Sequence, residues 1–404
     1  MNKDFFDKIE VIKLNIMKKR SSGKSSSKSS SNSSKKSVFL PDIFKESKVR
    51  KIQEFLRSNL IINKYKLDKR VSYLNYIKKK LIKLSPDDCL ENKKFGKNKG
   101  FTIRNIINLE KKIGSDGYNG EIYKTSIPSS FGTFPIATKI MEDNKENNNE
   151  VYLMKLITED IIINKKSKHF PIMYESCLCK NDYYPKKQKL ICLNEIANGD
   201  LNILLDNRVI INDKNILFNI LFQVFISIGT FQNYLNRVHN DCHGGNFLWN
   251  YNNERGYYHY IFNKKSYYLK ACEYNIMIHD YGYSNIIKSK KSIIKIVSDY
   301  AEIIPIFLNE EISMLTKSSV EPSDEIKREL YEIIELLMKE RKSLKTKYTM
   351  SSSSPKSESN PTNNREQLFE YIIEKIFKPY SPEDMFITSI PDNVINKIPF
   401  YIDK

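Results

Sequence analysis

Acidic residues are scarce in the first quarter of this sequence, and cysteine pairs, internal repeats and unbroken apolar runs are scarce throughout. Residues 1–100 hold 27 Lys and Arg against 10 Asp and Glu, so +17 of the formal net charge of +18 sits there and the rest is nearly neutral. Such a distribution excludes a chain built throughout to neutralise nucleic acid; the basic arm suits phosphate groups or an acidic partner, and nucleic acid is not the expected ligand. The six cysteines (Cys89, Cys177, Cys179, Cys192, Cys242 and Cys272) form no CxxC pair and no framework spacing. That excludes a disulfide scaffold and a structural zinc site, and predicts free thiols in a reducing compartment. The most apolar stretch, residues 215–231, is broken by Asn219 and Gln223, and Asp4, Asp7 and Glu10 interrupt the N-terminus. Neither a membrane span nor a signal peptide is expected.

What remains is a chain of 404 residues, 40% apolar and 12% aromatic, enough for a large core or two lobes. Residues 1–38 are Ser- and Lys-rich without apolar periodicity and are expected to be a disordered arm. Residues 39–105 read as a basic helical extension, with apolar positions such as Leu74, Ile77, Leu81 and Leu84 at helical intervals. Strand patterns and glycines dominate the next stretch, and long helical patterns follow residue 201. Strands first and helices after predict an α+β architecture with a β-rich N-lobe at 106–197 and a helical C-lobe at 198–404. Residues 345–365, rich in Ser, Pro and Asn, read as a disordered insertion in the C-lobe.

Several short motifs carry chemistry. In residues 238–248 (VHNDCHGGNFL), Asp241 and Asn246 stand five apart on a glycine-containing loop after a long helix, a spacing that can put a carboxylate at a hydroxyl and an amide on a metal. Residues 276–282 (IMIHDYG) are an apolar strand ending in Asp280, a second metal candidate. Residues 113–122 (IGSDGYNGEI) hold Gly114, Ser115, Gly117, Gly120 and Ile122, where bare backbone can approach phosphates. Ala137 and Lys139 follow on an apolar strand, with Glu150 opening the next helical pattern, and Glu195 and Ala197 end a later strand. Each motif alone also has an ordinary reading as a turn, a hairpin or a helix cap.

Together these motifs occur in the order of the protein-kinase superfamily, which the chain resembles from about residue 110 to 282. The resemblance implies a bilobal kinase-like fold that takes ATP and Mg²⁺ or Mn²⁺. It implies Gly114, Ser115, Gly117, Gly120, Ile122 and Ala137 around the nucleotide, Lys139 on its phosphates and a helix carboxylate orienting Lys139, Glu150 being the best placed and Glu146 and Glu159 the alternatives. Glu195 and Ala197 would meet adenine, Asn246 and Asp280 would hold metal, and Asp241 would be the catalytic base.

The departures are as telling. Asn240 stands where many protein kinases have an Arg that receives a phosphorylated activation loop, so that switch is not expected. His243 replaces a Lys, as in small-molecule kinases, and could donate to phosphate; no Ala-Pro-Glu follows Asp280, and the helical pattern resumes near Asp299. This combination is similar to divergent Ser/Thr protein kinases of large cytoplasmic DNA viruses, which implies a protein substrate, with the Ser-rich arm a candidate for self-modification, and a place in host cytoplasm or virion. A small-molecule phosphotransferase and a catalytically inactive scaffold stay open as alternatives.

Overall fold

The structure, a computed structural model, describes residues 66–85, 88–95, 98–117, 120–129, 132–179, 188–309, 320–350 and 361–404. The expected arm at 1–38 and the extension up to residue 65 lie outside the described residues.

The first described element is helix α1, Leu67–Leu81. Arg70, Leu74, Ile77 and Leu81 recur at three- and four-residue intervals, so they share one face, and all four are buried. Each of the three aliphatic side chains contributes roughly 1.5–3 kcal/mol by burial. The extension does not stay helical to residue 105, because Leu90–Phe95 (β1) and Asn98–Ile103 (β2) form an antiparallel hairpin. Leu90 and Ile103 face each other across it and are both buried, and the hairpin lengthens the sheet beyond its next strand.

Strands Ile107–Gly117 (β3), Gly120–Ser129 (β4), Gly132–Glu142 (β5), Met173–Cys179 (β6) and Lys189–Asn194 (β7) complete a seven-stranded sheet of order β1-β2-β3-β4-β5-β7-β6. Helix α2, Lys145–Ile157, opens on Asn144, whose side chain accepts from the Asn147 N–H, and a π turn at Thr158–Ile162 prolongs it. Residues 195–198 lead out of β7 into the helical lobe through Gly199–Asp200 (β8), Leu201–Leu205 (α3) and Arg208–Asn212 (α4). The expected mixed α+β architecture, a β-rich part followed by a helical one, is thus present in the described residues.

The helical lobe is built around α5, Lys214–Leu235, which is long and apolar enough to cross a membrane by length and composition, yet is 89% buried inside the fold. Its polar interruptions are structural ties: Asn219 donates to the Lys270 carbonyl, and Gln223 donates to Tyr274 O while accepting from Ile276 N. Asn236 ends the helix in the left-handed region (φ 56°), a C-terminal device that frees the chain to turn. After Arg237–Val238 (β9), strands Phe247–Tyr251 (β10) and Tyr274–Ile278 (β13) pair antiparallel, and the stretch between them is a second hairpin, Tyr257–Phe262 (β11) and Lys265–Lys270 (β12). Asn285–Ile286 (β14) pairs with β9, and Lys290–Phe307 (α6), Asp324–Met350 (α7) and Pro361–Tyr371 (α8) follow. The segment 345–365, expected to be disordered, is therefore helical at both ends, the charged helix running on past its last apolar turn; 351–360 lie outside the described residues. Near the C-terminus, Phe386–Ile387 (β15) and Phe400–Tyr401 (β16) flank the β11–β12 hairpin to make a four-stranded sheet.

One expectation is overturned outright. Cys89 and Cys179 are joined in a disulfide, and only Cys177, Cys192, Cys242 and Cys272 are free. Spacing could not reveal the pair, because its halves are 90 residues apart and meet only through the sheet.

Residues 163–172, between α2 and β6, are where these layers meet. His169 is fully buried, its Nδ1 2.8 Å from Ile276 O and its Nε2 2.8 Å from the Tyr260 hydroxyl. Because a carbonyl only accepts, Nδ1 carries the proton and Nε2 accepts from Tyr260. Burial, helped by nearby Lys168, lowers the imidazole from its ordinary 6.5 to about 3. The unfolded chain therefore binds a proton here that the folded chain refuses, and stability present above the ordinary value is lost as pH falls below it. Between pH 7 and pH 5 this group should withdraw about 2 kcal/mol. Urea unfolding at the two pH values tests this: His169→Gln should shrink the pH dependence by that amount, whatever its cost at pH 7.

Candidate active site

The sheet register sets the upper wall of the cleft. Ile122 lies opposite Lys139 between β4 and β5, while Lys139 lies opposite Cys192 and Ala137 opposite Asn194 between β5 and β7. Directly opposed residues share a face, so Ile122, Ala137 and Lys139 line one side. Gly117 and Gly120 pair at the hairpin end of β3 and β4. Gly120 has φ 142°, and a Cβ there would come within 2.5 Å of the Ile140 carbonyl, so no other residue fits. Gly114 and Ser115 lie on β3, three and two residues before Gly117.

Lys139 Nζ is 2.8 and 2.9 Å from the two Glu150 carboxylate oxygens and 3.3 Å from Asp280 Oδ2. Burial works against the ammonium charge, but Glu150 and Asp280 outweigh it and hold Lys139 above its ordinary pKa. Burial pushes the Glu150 carboxyl up, against the pull of Lys139. Asp280 is also opposed by burial, yet Lys139 draws it below the ordinary carboxylate range. Of the two carboxyls on Lys139, Glu150 is the one nearer to taking a proton.

The lower wall comes from the β10–β13 hairpin. Phe247 pairs with Ile278, which places Asn246 and Asp280 at the same end, and His279 N donates to Asn246 O at 3.0 Å. Asn246 Nδ2 is 2.9 Å from both Asp241 O and Asp241 Oδ2, so the amide fixes the loop and leaves its carbonyl oxygen as a donor atom. His243 Nδ1 accepts from Gly245 N, and its Nε2 is 3.7 Å from Asp241 Oδ2; its side chain is 51% exposed against 32% for Asp241. Gly244 packs so closely on Asn202 of α3 that a side chain would collide with it. His239 is buried, with Nε2 2.9 Å from His279 O and its ring edge against Phe231 and Tyr281.

Asp299 holds this loop from below. It accepts from His239 N and Asn240 N, each at 2.9 Å, and from Gln232 Nε2. Burial pushes its carboxyl up, against the nearby His239 and these donors. The expectation that a helix starts near Asp299 needs correction: α6 starts at Lys290 on a Ser289 cap, and Asp299 lies in its middle. Asp280 and Asn240 both adopt left-handed backbone, φ 63° each, a conformation that Asn and Asp tolerate best among side-chain-bearing residues.

At the junction of the lobes, the Glu195 N–H donates to Ile172 O at 2.8 Å, and Ala197 follows two residues on, in the stretch that leaves β7. The Glu195 carboxylate is taken by Arg70 from α1, with Nε 2.8 Å and Nη2 2.7 Å from its two oxygens, and Arg70 Nη1 reaches Lys168 O at 2.9 Å. No motif pointed to Arg70. The spacing 70, 74, 77, 81 would have shown a guanidinium on an apolar helix face, which needs a buried partner.

Among the described residues no cluster of three or more His, Cys, Asp or Glu could hold a metal unaided. One carboxylate and one amide oxygen, hard donors on one hairpin end, fit Mg²⁺ or Mn²⁺ that takes its remaining ligands from phosphates and water.

No family model matches the chain, and no curated protein does. Among solved structures it is similar to the crystal structure of a Plasmodium kinase domain, at 16% identity and a TM-score of 0.36, covering 52% of this chain and 67% of that one. The architecture stands on the sheet, helix and cleft described above, not on that likeness.

Lys139→Met leaves Glu150 buried without its cation and should cost about 3 kcal/mol near pH 7.5. Glu150 can escape by protonation, its folded pKa lying above the unfolded one, so stability is retained at low pH and lost as pH rises through the folded value. Urea unfolding should therefore show a smaller penalty at pH 5.5 than at 7.5. Equal penalties would mean that Glu150 is not the strained partner.

Proposed function

We propose that this chain is an ATP- and metal-dependent phosphotransferase, and that its acceptor is a protein Ser or Thr hydroxyl. The observation that carries the reading is the convergence on one cleft of Lys139 braced by Glu150, Asp280 against Lys139, and Asp241 bonded to Asn246. Lys139 would neutralise phosphate oxygens beneath the β3–β4 hairpin, with Ile122 and Ala137 beside the nucleotide and Glu195 and Ala197 at its base. Asn246 and Asp280 would hold the divalent ion, which neutralises charge on the phosphates as the transferring group loosens. Asp241 would orient the acceptor hydroxyl and take its proton, held in register by the Asn246 amide and, through the loop backbone, by Asp299. His243, exposed beside Asp241, would donate to a phosphate oxygen.

The closer likeness to Ser/Thr kinases of large cytoplasmic DNA viruses, and with it a cytoplasmic or virion location, belongs to the same proposal and rests on the motif residues. A second reading, transfer to a small molecule, is favoured by the short stretch between Asp280 and the start of α6 at Lys290, which leaves little room for a peptide platform. The N-terminal Ser-rich arm favours a protein acceptor, the chain itself included.

Purified protein, labelled ATP and Mg²⁺ or Mn²⁺, with casein, basic protein or the chain itself as acceptor, tests the proposal. Asp241→Asn should reduce transfer at least ~100-fold while leaving nucleotide binding in place. Nucleotide binding without transfer to any protein would move the assignment to the small-molecule reading.

A further inference from the structure

Asn149 belongs to no motif, yet it bonds both the turn after Asp280 and the residue that leads into the Asp241 loop. It sits on α2 immediately before Glu150, half-buried, and its Nδ2 lies 3.0 Å from Tyr281 O, 3.3 Å from Gly282 O and 3.2 Å from Ser284 Oγ. An amide nitrogen has two hydrogens, so these acceptors share them, and all belong to the turn that follows Asp280. Its Oδ1 accepts from Arg237 at 3.4 Å, the residue that begins β9 and leads into the Asp241 loop. The Asn240 amide closes the same turn from the other side, donating to Tyr283 O at 3.0 Å.

The turn needs such holding. Asp280 enters it in left-handed backbone, which costs of order 1–3 kcal/mol and persists only where surroundings over-determine it. Tyr281 is buried against Phe231, Ser284 N closes the turn onto Tyr281 O, and Ile287 N bonds Asn236 O. The Tyr281 carbonyl, which Ser284 N shares, and the Gly282 carbonyl both accept from the Asn149 amide.

We propose that Asn149 is a positioning residue for the cleft: its amide holds the chain just after Asp280, so that one helix sets both the Asp280 carboxylate and the Glu150–Lys139 pair. Successive residues on a helix point about 100° apart. Glu150 therefore reaches up to the sheet while Asn149 reaches across to the turn. A shift of α2 that breaks Glu150 from Lys139 also drags the turn and misplaces Asp280. The latch is made of neutral amides, so it carries no charge that a modification elsewhere must supply. Its consequence for metal rests on the phosphotransferase reading above; the holding of the turn does not.

Asn149→Asp tests it, since it keeps the shape and the Arg237 contact but sets an anionic oxygen against carbonyls; Asn149→Ala removes both. In ligand-free protein, hydrogen exchange at the Ser284 and Ile287 amides should quicken about tenfold in both variants, with α5 unchanged as the control for global unfolding. The Mn²⁺ concentration that half-saturates metal-dependent ATP binding should rise about tenfold, with metal-free ATP affinity within twofold of wild type. Unchanged exchange in both variants overturns the latch. Quickened exchange with an unchanged metal requirement overturns the coupling to Asp280. Wild-type ATP binding that ignores metal overturns the functional reading itself, and is told apart from a failed latch because the exchange measurement needs no nucleotide.

Discussion

The ion pair between Lys139 and Glu150 is the contact on which the rest of the cleft depends. Both groups are buried, and removing two charges from water costs several kcal/mol per ion unless the geometry is close and further partners complete it. A strand in the middle of a seven-stranded sheet and a helix capped by Asn144 bring them together, so the pair ties the sheet to α2. Asp280 then finds its place against the same ammonium, and through it the hairpin of the helical lobe is joined to the sheet of the other. A hydrophobic pair of equal volume would hold α2 to the sheet at least as well; under the proposed function the charged pair would in addition meet phosphate.

Much of the support for this arrangement comes from parts of the chain outside the cleft. Arg70 on α1 grips Glu195 at the lobe junction; the β11–β12 hairpin and β16 press on residues 163–172, where Tyr260 meets His169 and Tyr401 N bonds Lys166 O. The Cys89–Cys179 bond fastens the chain after α1 to the end of β6. Arg70 and β16 thus brace the region between α2 and β6, while the disulfide fastens the far end of β6.

How far the sequence shows this varies with the kind of contact. The β-then-α order, the lysine strand, the glycine hairpin and the Asp241–Asn246 spacing are local patterns, and local patterns are legible because geometry along one element follows from spacing alone. The early hairpin at residues 90–103 was hidden in a basic stretch whose alternation is weak. Cys89 and Cys179, Arg70 and Glu195, and Asn149 and the turn after Asp280 were not legible as pairs, since they lie 90, 125 and 132 residues apart and several of their bonds end on backbone, which has no sequence signature. Asp299 shows the same limit: its bonds to the Asp241 loop end on backbone N–H groups, and its helix begins nine residues before the point where the pattern is legible, at Lys290 on a Ser289 cap.

The most direct test of the central claim is calorimetric titration of a non-hydrolysable ATP analogue into the full chain, with and without Mg²⁺. The account predicts a single site that binds at least tenfold more tightly when the metal is present, because Lys139, Asn246 and Asp280 then act together on the phosphates. Absence of binding, or binding of equal strength without metal, would contradict it.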